Sequence, residues 1–344
     1  MGDAVLVRSV IEHLRRRNPS LEIGVLAGEA TQEVLTVGGN FTLHLYSQRR
    51  LTLWSTLRML REIKARSYDA VLNFEQGSLA GSCFLYATAI PSRIGFVAEG
   101  SSSKMLFLTH AVGFQTEASM WQSFLEIARI ADSHLPDSLL PLPLPISDEQ
   151  LHAGHTWLQL RLTNPQVRKI AFHLGCGIGQ AFKRWPLQNF AALAGKFSQY
   201  NSDLTIILTG QPHERGLLTQ FGSIYKGSTI DATGLNSISE TASVLKECDL
   251  LVSNDTGVMH LGAAMGTPTV GLFGASSPHQ WAPSGPRVAH VYATSTPCSP
   301  CINSYLNLVP TRCVNSDYGR CMADIRVDSV LDAARRVILS DWLG

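Results

Sequence analysis

Long hydrophobic runs are the first thing this 344-residue chain lacks. None approaches the ~20 consecutive apolar residues of a membrane-spanning helix, so an integral membrane protein is not expected. The N-terminus has no basic stretch leading into an apolar core, so no secretory signal is expected and the cytoplasm is the expected location. In that compartment the seven cysteines would be mostly reduced. Charge is scarce as well: 16% of residues are charged, and 28 basic side chains stand against 27 acidic ones. A formal net charge of +1 gives no field to draw the chain onto nucleic acid, so any anion site must be local. No solenoid period or low-complexity tract is present. What remains is 45% apolar residues, over a length that makes two globular domains the natural division.

Those apolar residues fall in short runs that alternate with amphipathic stretches. In the first half the spacing predicts strands over 22–27, 42–46, 69–74 and 93–97, with helices over 4–17, 30–37, 52–66, 79–90 and 120–134. The second half predicts strands over 169–174, 204–209, 249–253, 268–273 and 288–292. Its helices fall over 187–200, 214–225, 238–247, 258–265 and 328–342. Such alternation implies parallel βαβ units, an α/β chain with two doubly wound, Rossmann-like domains. The proline-rich segment 135–150 continues neither a helix nor a central strand and reads as the linker. The resulting division is 1–140, a linker at 141–150, and 151–344. Two such domains would face each other across a cleft, with ligands at the carboxyl ends of the strands.

Three loops of the second domain follow strands of one sheet and are expected to converge. The first, HLGCGIGQAFKRWP (173–186), carries Gly175, Gly177 and Gly179, which let backbone approach a ligand, and Lys183, a point charge suited to a diphosphate. It is not a Walker motif and its glycines miss the dinucleotide spacing, so a plain βα loop with a solvated lysine fits equally well. The second, TGQPHER (209–215), offers Glu214 either to ribose hydroxyls or, more simply, to the dipole of the next helix. The third, SNDTG, puts Asp255 at the mouth of a helix. As a lone residue it would be an N-cap. Yet helix N-terminal amides at Thr256 and Gly257 attract phosphate, beside which a carboxylate is repelled unless it points at a neutral donor such as a sugar hydroxyl. The motif therefore makes sense for a sugar joined to a diphosphate. His260, one helical turn beyond Thr256, would donate to that ligand, or else is a packed core histidine.

With these residues in hand, SNDTGVMHLGAAMGTPTVGLFG, the upstream KRWP and the opening GDAVLVRSVIEHLRRRNPSLEIGVLA resemble glycosyltransferase family 9, the bacterial heptosyltransferases of the lipopolysaccharide core. The resemblance runs from Gly2 to the last helix. It implies the two-domain GT-B fold, an inverting transfer from ADP-heptose that needs no catalytic metal, a donor site in the C-terminal domain and an acceptor site in the N-terminal one. It implies that Lys183 neutralises the diphosphate, that Asp255, Thr256, Gly257 and His260 hold the donor, and that Glu214 holds the ribose. It also implies that Asp3 is the general base, a role needing a carboxylate within reach of the acceptor hydroxyl. By itself, Asp3 reads as a helix N-cap. The implied partners are a nucleotide-sugar donor and a lipopolysaccharide-type glycolipid, not nucleic acid. A nucleotide-sugar epimerase of the same fold and a non-catalytic nucleotide-sugar-binding protein are the competing classes.

Two features depart from the family pattern. Its members place a β-strand directly before this Gly-Asp, whereas here the sequence opens at Met1-Gly2-Asp3. A first domain short of one central strand is therefore expected, with its remainder lying upstream. The second departure is PCSPCINSYLNLVPTRCVNSDYGRC, which gathers Cys298, Cys301, Cys313 and Cys321. The spacing admits a structural zinc or iron site, and equally a set of reduced thiols, the reading preferred here. Cys83, Cys176 and Cys248 read as isolated small apolar residues. Finally, the helix over 52–66 combines Leu53, Leu57, Leu60 and Ile63 with Arg58, Arg61, Lys64 and Arg66. An ordinary solvated face is the simpler reading; a peripheral contact with the cytosolic face of the inner membrane is the other.

Overall fold

The computed structural model describes residues 1–338 apart from 30, 40, 48–51, 76–77, 98–101, 115–117, 236 and 304–307. The chain packs as two compact units. The smaller is built from Leu6–Leu142, and the larger from Met1–Val5, Pro143–Ile302 and the chain from Val309 onward.

The smaller unit contains, in order, α1 (Gly2–Arg17), whose first turn belongs to the larger unit, β1 (Gly24–Gly28), α2 (Gln32–Thr36), β2 (Thr42–Tyr46), α3 (Leu53–Lys64), β3 (Ala70–Asn73), α4 (Leu79–Ala87), β4 (Ser92–Val97), α5 (Ser102–Met105), β5 (His110–Gly113) and α6 (Met120–Ala131). Its strands form two separate parallel sheets, β1–β2 and β3–β4–β5, in place of one. Among the described residues, β1 and β3 each pair along one edge only. Neither α5 nor β5 was expected, because runs of four residues carry too little periodicity to register. The helix expected over 30–37 begins at Gln32, and residue 30 lies outside the described residues.

The larger unit is a doubly wound domain. It contains α7 (Asp148–Gln159), β6 (Arg168–His173), α8 (Leu187–Tyr200), β7 (Leu204–Thr209), α9 (Arg215–Ile224), β8 (Thr229–Asp231), α10 (Ile238–Lys246), β9 (Leu250–Asn254), α11 (Gly257–Ala264), β10 (Thr269–Phe273), α12 (Pro278–Trp281), β11 (Val288–Tyr292), α13 (Arg320–Ala323) and α14 (Val327–Val337). Six parallel strands run in the order β11-β10-β9-β6-β7-β8. Every residue of β7, β9 and β10 is buried, so these strands read as continuous apolar runs, the signature of parallel strands covered on both faces. α8, α9 and α14 pack together as one layer; α7, α10 and α11 form another. The core joins Phe172, Trp185, Phe190, Phe197 and Phe221 to Val330 and Ala334 of the last helix.

The linker ends sooner than its prolines imply. Ser147 and Gln150 form a reciprocal capping box, Ser147 Oγ accepting from the Gln150 amide at 3.2 Å, and α7 starts directly after it. The helix expected over 328–342 is described to Val337, and 339–342 lie outside the described residues. Among the described residues no helix is long and apolar enough to cross a membrane.

Candidate functional site

Strand order in the larger unit reverses between β6 and β9: β7 and β8 follow on one side, β10 and β11 on the other. At such a switch point adjacent loops leave the sheet in opposite directions and open a crevice at the strands' carboxyl ends. The loop after β6 carries Gly175, Gly177 and Lys183; the loop after β9 carries Asp255 and Thr256. The flanking loops after β7 and β10 bring Glu214 and Ser276.

Lys183 closes a 3-10 turn, Ala181–Lys183, and sets its Nζ 2.7 Å from Asp255 Oδ2, with 12% of each side chain exposed. Ser276 Oγ donates to the same oxygen at 2.5 Å. Burial by itself would push the Asp255 carboxyl upward; the Lys183 charge and its hydrogen bond, then Ser276 and His260, outweigh it and hold the group below the usual carboxylate range. Asp255 therefore stays ionised. It is not the N-cap of α11: Thr256 takes that position, and no side chain caps its amides.

His260 lies on α11, is 4% exposed, and has no hydrogen-bond partner at Nδ1 among the described residues. Burial is the main reason its pKa falls to about 4, against the pull of Asp255, with the α-ammonium and Lys183 adding to the fall. It is neutral near pH 7, and an unpaired buried nitrogen in a native fold calls for an explanation, a ligand among them. The first turn of α1 lies on α11. A Cβ on Gly2 would come within 2.8 Å of His260 Cδ2, and one on Gly257 within 2.4 Å of the Met1 Cβ. Asp3 thus stands in the first turn of α1, not at its N-cap. Crowding by the surrounding protein and repulsion from Asp255 raise its pKa, while the α-ammonium opposes them.

Glu214 is 4% exposed and ties two loops together, Oε1 accepting from the Cys176 amide at 3.1 Å and Oε2 from the Gln211 amide at 2.9 Å. Gly175 permits this approach, since a Cβ there would lie 1.9 Å from Oε1. A ribose hydroxyl would have to share a carboxylate already engaged by backbone. Asn254 does comparable work from a fully buried position. Its Nδ2 donates to the carbonyls of Leu174 and Gly175 at 3.1 and 3.0 Å, and its Oδ1 accepts from the Trp185 amide at 2.9 Å, so one side chain pins both ends of the Lys183 loop. Gly177 sits between those ends, with open space apart from the Gln180 side chain. A cavity of about 510 Å³ between the start of α8 and the length of α9 meets this loop at Leu174, Arg184, Trp185 and Pro186 and includes none of Lys183, Asp255 or His260. The interaction geometry, not the cavity, defines the site.

The cysteine quartet is drawn together but not as an ion site. Cys301 and Cys313 pack against Phe182, Ala275 and Ile302, and the Cys298 and Cys313 sulfurs accept hydrogen bonds from Asn315 and from the Gly319 amide. Burial, then the neighbouring cysteines, push Cys301 upward and Cys321 up to about 11, so both stay protonated thiols. Among the described residues no three His, Cys, Asp or Glu side chains converge to hold a metal.

Sequence reasoning did not find Ser276 or Asn254, whose roles come through partners 21 and 69 to 80 residues away. It also read Cys176 as an isolated apolar residue, whereas its amide anchors Glu214. The only local signal was the identity of a serine and an asparagine directly after or within apolar strands.

Known proteins bear on this arrangement. Residues 56–308 match the model of glycosyltransferase family 9 (heptosyltransferase). A lipopolysaccharide core heptosyltransferase, OpsX, of Haemophilus influenzae is 20% identical over 285 residues, 82% of this chain and 79% of that protein. The lipopolysaccharide heptosyltransferase 2 of Escherichia coli is 24% identical over 298 residues, 81% of each. Among solved structures, a family 9 glycosyltransferase from Veillonella parvula superimposes with a TM-score of 0.80 at 21% identity, covering 98% of this chain and 94% of that one. The E. coli ADP-heptose lps heptosyltransferase II gives 0.72 at 20% identity, covering 98% and 96%. The fold is accordingly the GT-B fold, and the chain belongs to glycosyltransferase family 9, the heptosyltransferase family.

Proposed function

We propose that this glycosyltransferase moves a heptose, or a closely related sugar, from ADP-heptose to a lipopolysaccharide core or similar bacterial glycan, with inversion and without a catalytic metal. The observation that carries the reading is the 2.7 Å contact between Lys183 and Asp255 at the switch point, beside the uncapped N-terminus of α11. An ammonium has three donors; one serves Asp255 and the others are available to diphosphate oxygens. The α11 amides add positive potential to the same anion. Both contacts to Asp255 fall on Oδ2, which leaves Oδ1 to accept from a sugar hydroxyl. Neutral His260 completes the donor set, and Gly175, Gly177 and Glu214 shape the loop that carries Lys183.

In the transfer itself Asp3 accepts the proton of the acceptor hydroxyl, whose oxygen attacks the anomeric carbon from the face opposite the leaving group. The bond from that carbon to the β-phosphate oxygen breaks, ADP departs, and the configuration inverts. The charge that builds on ADP is met by Lys183 and the helix amides, so no metal is required in this scheme. The likeness of the relatives supports the ADP-heptose donor and the lipopolysaccharide-type acceptor, and a cytosolic setting follows from both. The test is ADP release from ADP-heptose, with and without a heptose-accepting core oligosaccharide. Release that depends on acceptor is expected. Conversion of the donor to an isomer without acceptor and without net ADP release would mean epimerisation, and binding without any turnover would mean a non-catalytic binder; either result overturns the proposal.

A further inference from the structure

Lys183 and Ser276 meet on one oxygen of Asp255, and each stands one residue from the same small apolar core. Phe182 precedes Lys183 and Ala275 precedes Ser276; both are buried there against Ile302, with Cys301 and Cys313 at the edge. Tyr318 meets the Phe182 ring nearly at right angles, 6.4 Å between centroids. The cysteine-rich segment therefore packs directly behind the two groups that hold Asp255. Close-packed side chains transmit displacement, so the backbone at 182–183 and at 275–276 follows Ile302.

On the Ser276 side, hydrogen bonds add a second hold. The Cys301 and Ile302 amides both donate to the Ala275 carbonyl, at 2.9 and 2.8 Å. Ser276 and Ile302 pair as an isolated parallel bridge, so the chain leaving β10 runs on beside this segment. Ser299 Oγ donates to the Gly274 carbonyl and lies 3.1 Å from the Tyr292 hydroxyl of β11. Gly274 is also enclosed by α13: a Cβ there would fall 2.9 Å from Cys321 Sγ and 2.8 Å from Met322 Sδ. Gly274, Ala275 and Ser276 are thus fixed in turn by Ser299, by the 301–302 amides and by the bridge. Among the described residues no hydrogen bond joins 299–302 to the Lys183 loop, and the segment reaches Lys183 through the packing of Phe182.

We propose that Ser299 and Ile302 are positioning residues for the sugar-nucleotide donor. Ser299 sets the turn that aims Ser276 at Asp255, and so acts on the sugar. Ile302 sets that turn and Phe182 together, and so acts on sugar and diphosphate alike. The reason is angular: the Ser276 bond to Asp255 Oδ2 weakens steeply when misaligned, and a carboxylate that turns carries Oδ1 away from the sugar hydroxyl. The inference rests on reading this site as a grip on a sugar nucleotide, and it gives the cysteine-rich segment a part in that grip.

The test is calorimetric titration of the full chain with ADP and with ADP-heptose. Ser299→Ala is expected to weaken ADP-heptose about five-fold and to leave ADP within about two-fold, a part of what loss of the Ser276 bond itself costs. Ser299→Thr keeps the hydroxyl and should restore the parent value. Ile302→Ala should weaken both ligands at least about five-fold, with Ile302→Val recovering most of the loss. Adding Ser299→Ala to Ser276→Ala should cost less than about two-fold more, because both act through one bond. Val330→Ala, in the main core of the same unit, should lower thermal melting and leave both affinities unchanged, which separates lost packing from lost positioning. Parent-like ADP-heptose affinity in Ser299→Ala, equal losses of ADP and ADP-heptose there, or full additivity with Ser276→Ala would overturn the inference. Should Ile302→Ala fail to fold, the Ser299 variants still decide it. A parent chain that bound neither ligand would remove the donor-site reading itself, and the inference with it.

Discussion

Asp255 and His260 are neighbours whose surroundings drive their protonation in opposite senses. His260 has a folded pKa of about 4 against the ordinary imidazole value of 6.5, so between these values the unfolded chain binds the extra proton. Its contribution to stability is whole above pH 6.5 and drains away as pH falls to 4, by about 3 kcal/mol. Urea unfolding should show His260→Gln losing about 3 kcal/mol less stability than the parent as pH falls across that range. Asp255 behaves separately: its folded pKa is depressed, so its contribution is present above the ordinary carboxylate value and is lost only as pH falls through its lower folded value. Ser276→Ala removes one of the bonds that keeps Asp255 charged and oriented. Donor affinity should drop roughly ten-fold, as for a hydrogen bond to a charged group, and Ser276→Thr should restore it. Titration of donor into the two variants decides the point. The Lys183 and Asp255 positions were legible because each lies in a tight local motif, K-x-W-P or D-T-G-x-x-H. Ser276 was not, because a lone serine after a strand announces nothing until the fold sets it beside a carboxylate 21 residues away.

At the scale of elements, the loop from Gly175 to Lys183 is held rigid by two buried polar side chains, Glu214 and Asn254. Asn254→Ala would leave the Trp185 amide and the Leu174 and Gly175 carbonyls without their partner inside the protein, at a cost of about 2–4 kcal/mol in chemical denaturation. Gly175→Ala drives a methyl into the Glu214 carboxylate. It should lower both stability and turnover, whereas Gly177→Ala, with only the flexible end of Gln180 nearby, should be close to neutral for stability. The strands of the larger unit could be read from sequence because burial on both faces makes them unbroken apolar runs. Helix α7 escaped notice because its capping box follows a proline-rich stretch without a pause, and β8 because three residues cannot show a period. Helix α3 had a legible period but a misleading one. Leu53, Leu57, Leu60 and Ile63 recur as a core stripe would, yet only the far end of that stripe is covered.

For the molecule as a whole, the two units differ in completeness of their sheets. Among the described residues, the larger has six paired parallel strands with an extensive aromatic core; the smaller divides five strands between two sheets, with β1 and β3 each paired along one edge. Amides of β6, β7, β9 and β10 should therefore exchange hydrogen far more slowly than those of β1 and β3, which native-state exchange resolved by mass spectrometry would show. The expectation of two doubly wound α/β domains came from the alternation of strand and helix along the entire length, and GT-B from the family resemblance. The division of the smaller sheet depends on which strand edges meet, which no local pattern records. The central claim is that the larger unit grips a diphosphate through Lys183 and the attached sugar through Asp255. Calorimetric titration with ADP and with ADP-heptose, using the parent chain, Lys183→Ala and Asp255→Asn, tests it most directly. The account predicts that Lys183→Ala weakens both ligands by at least about 30-fold, the scale of a lost charge-assisted contact, while Asp255→Asn weakens ADP-heptose more than ADP. Equal affinities across the three proteins would contradict it.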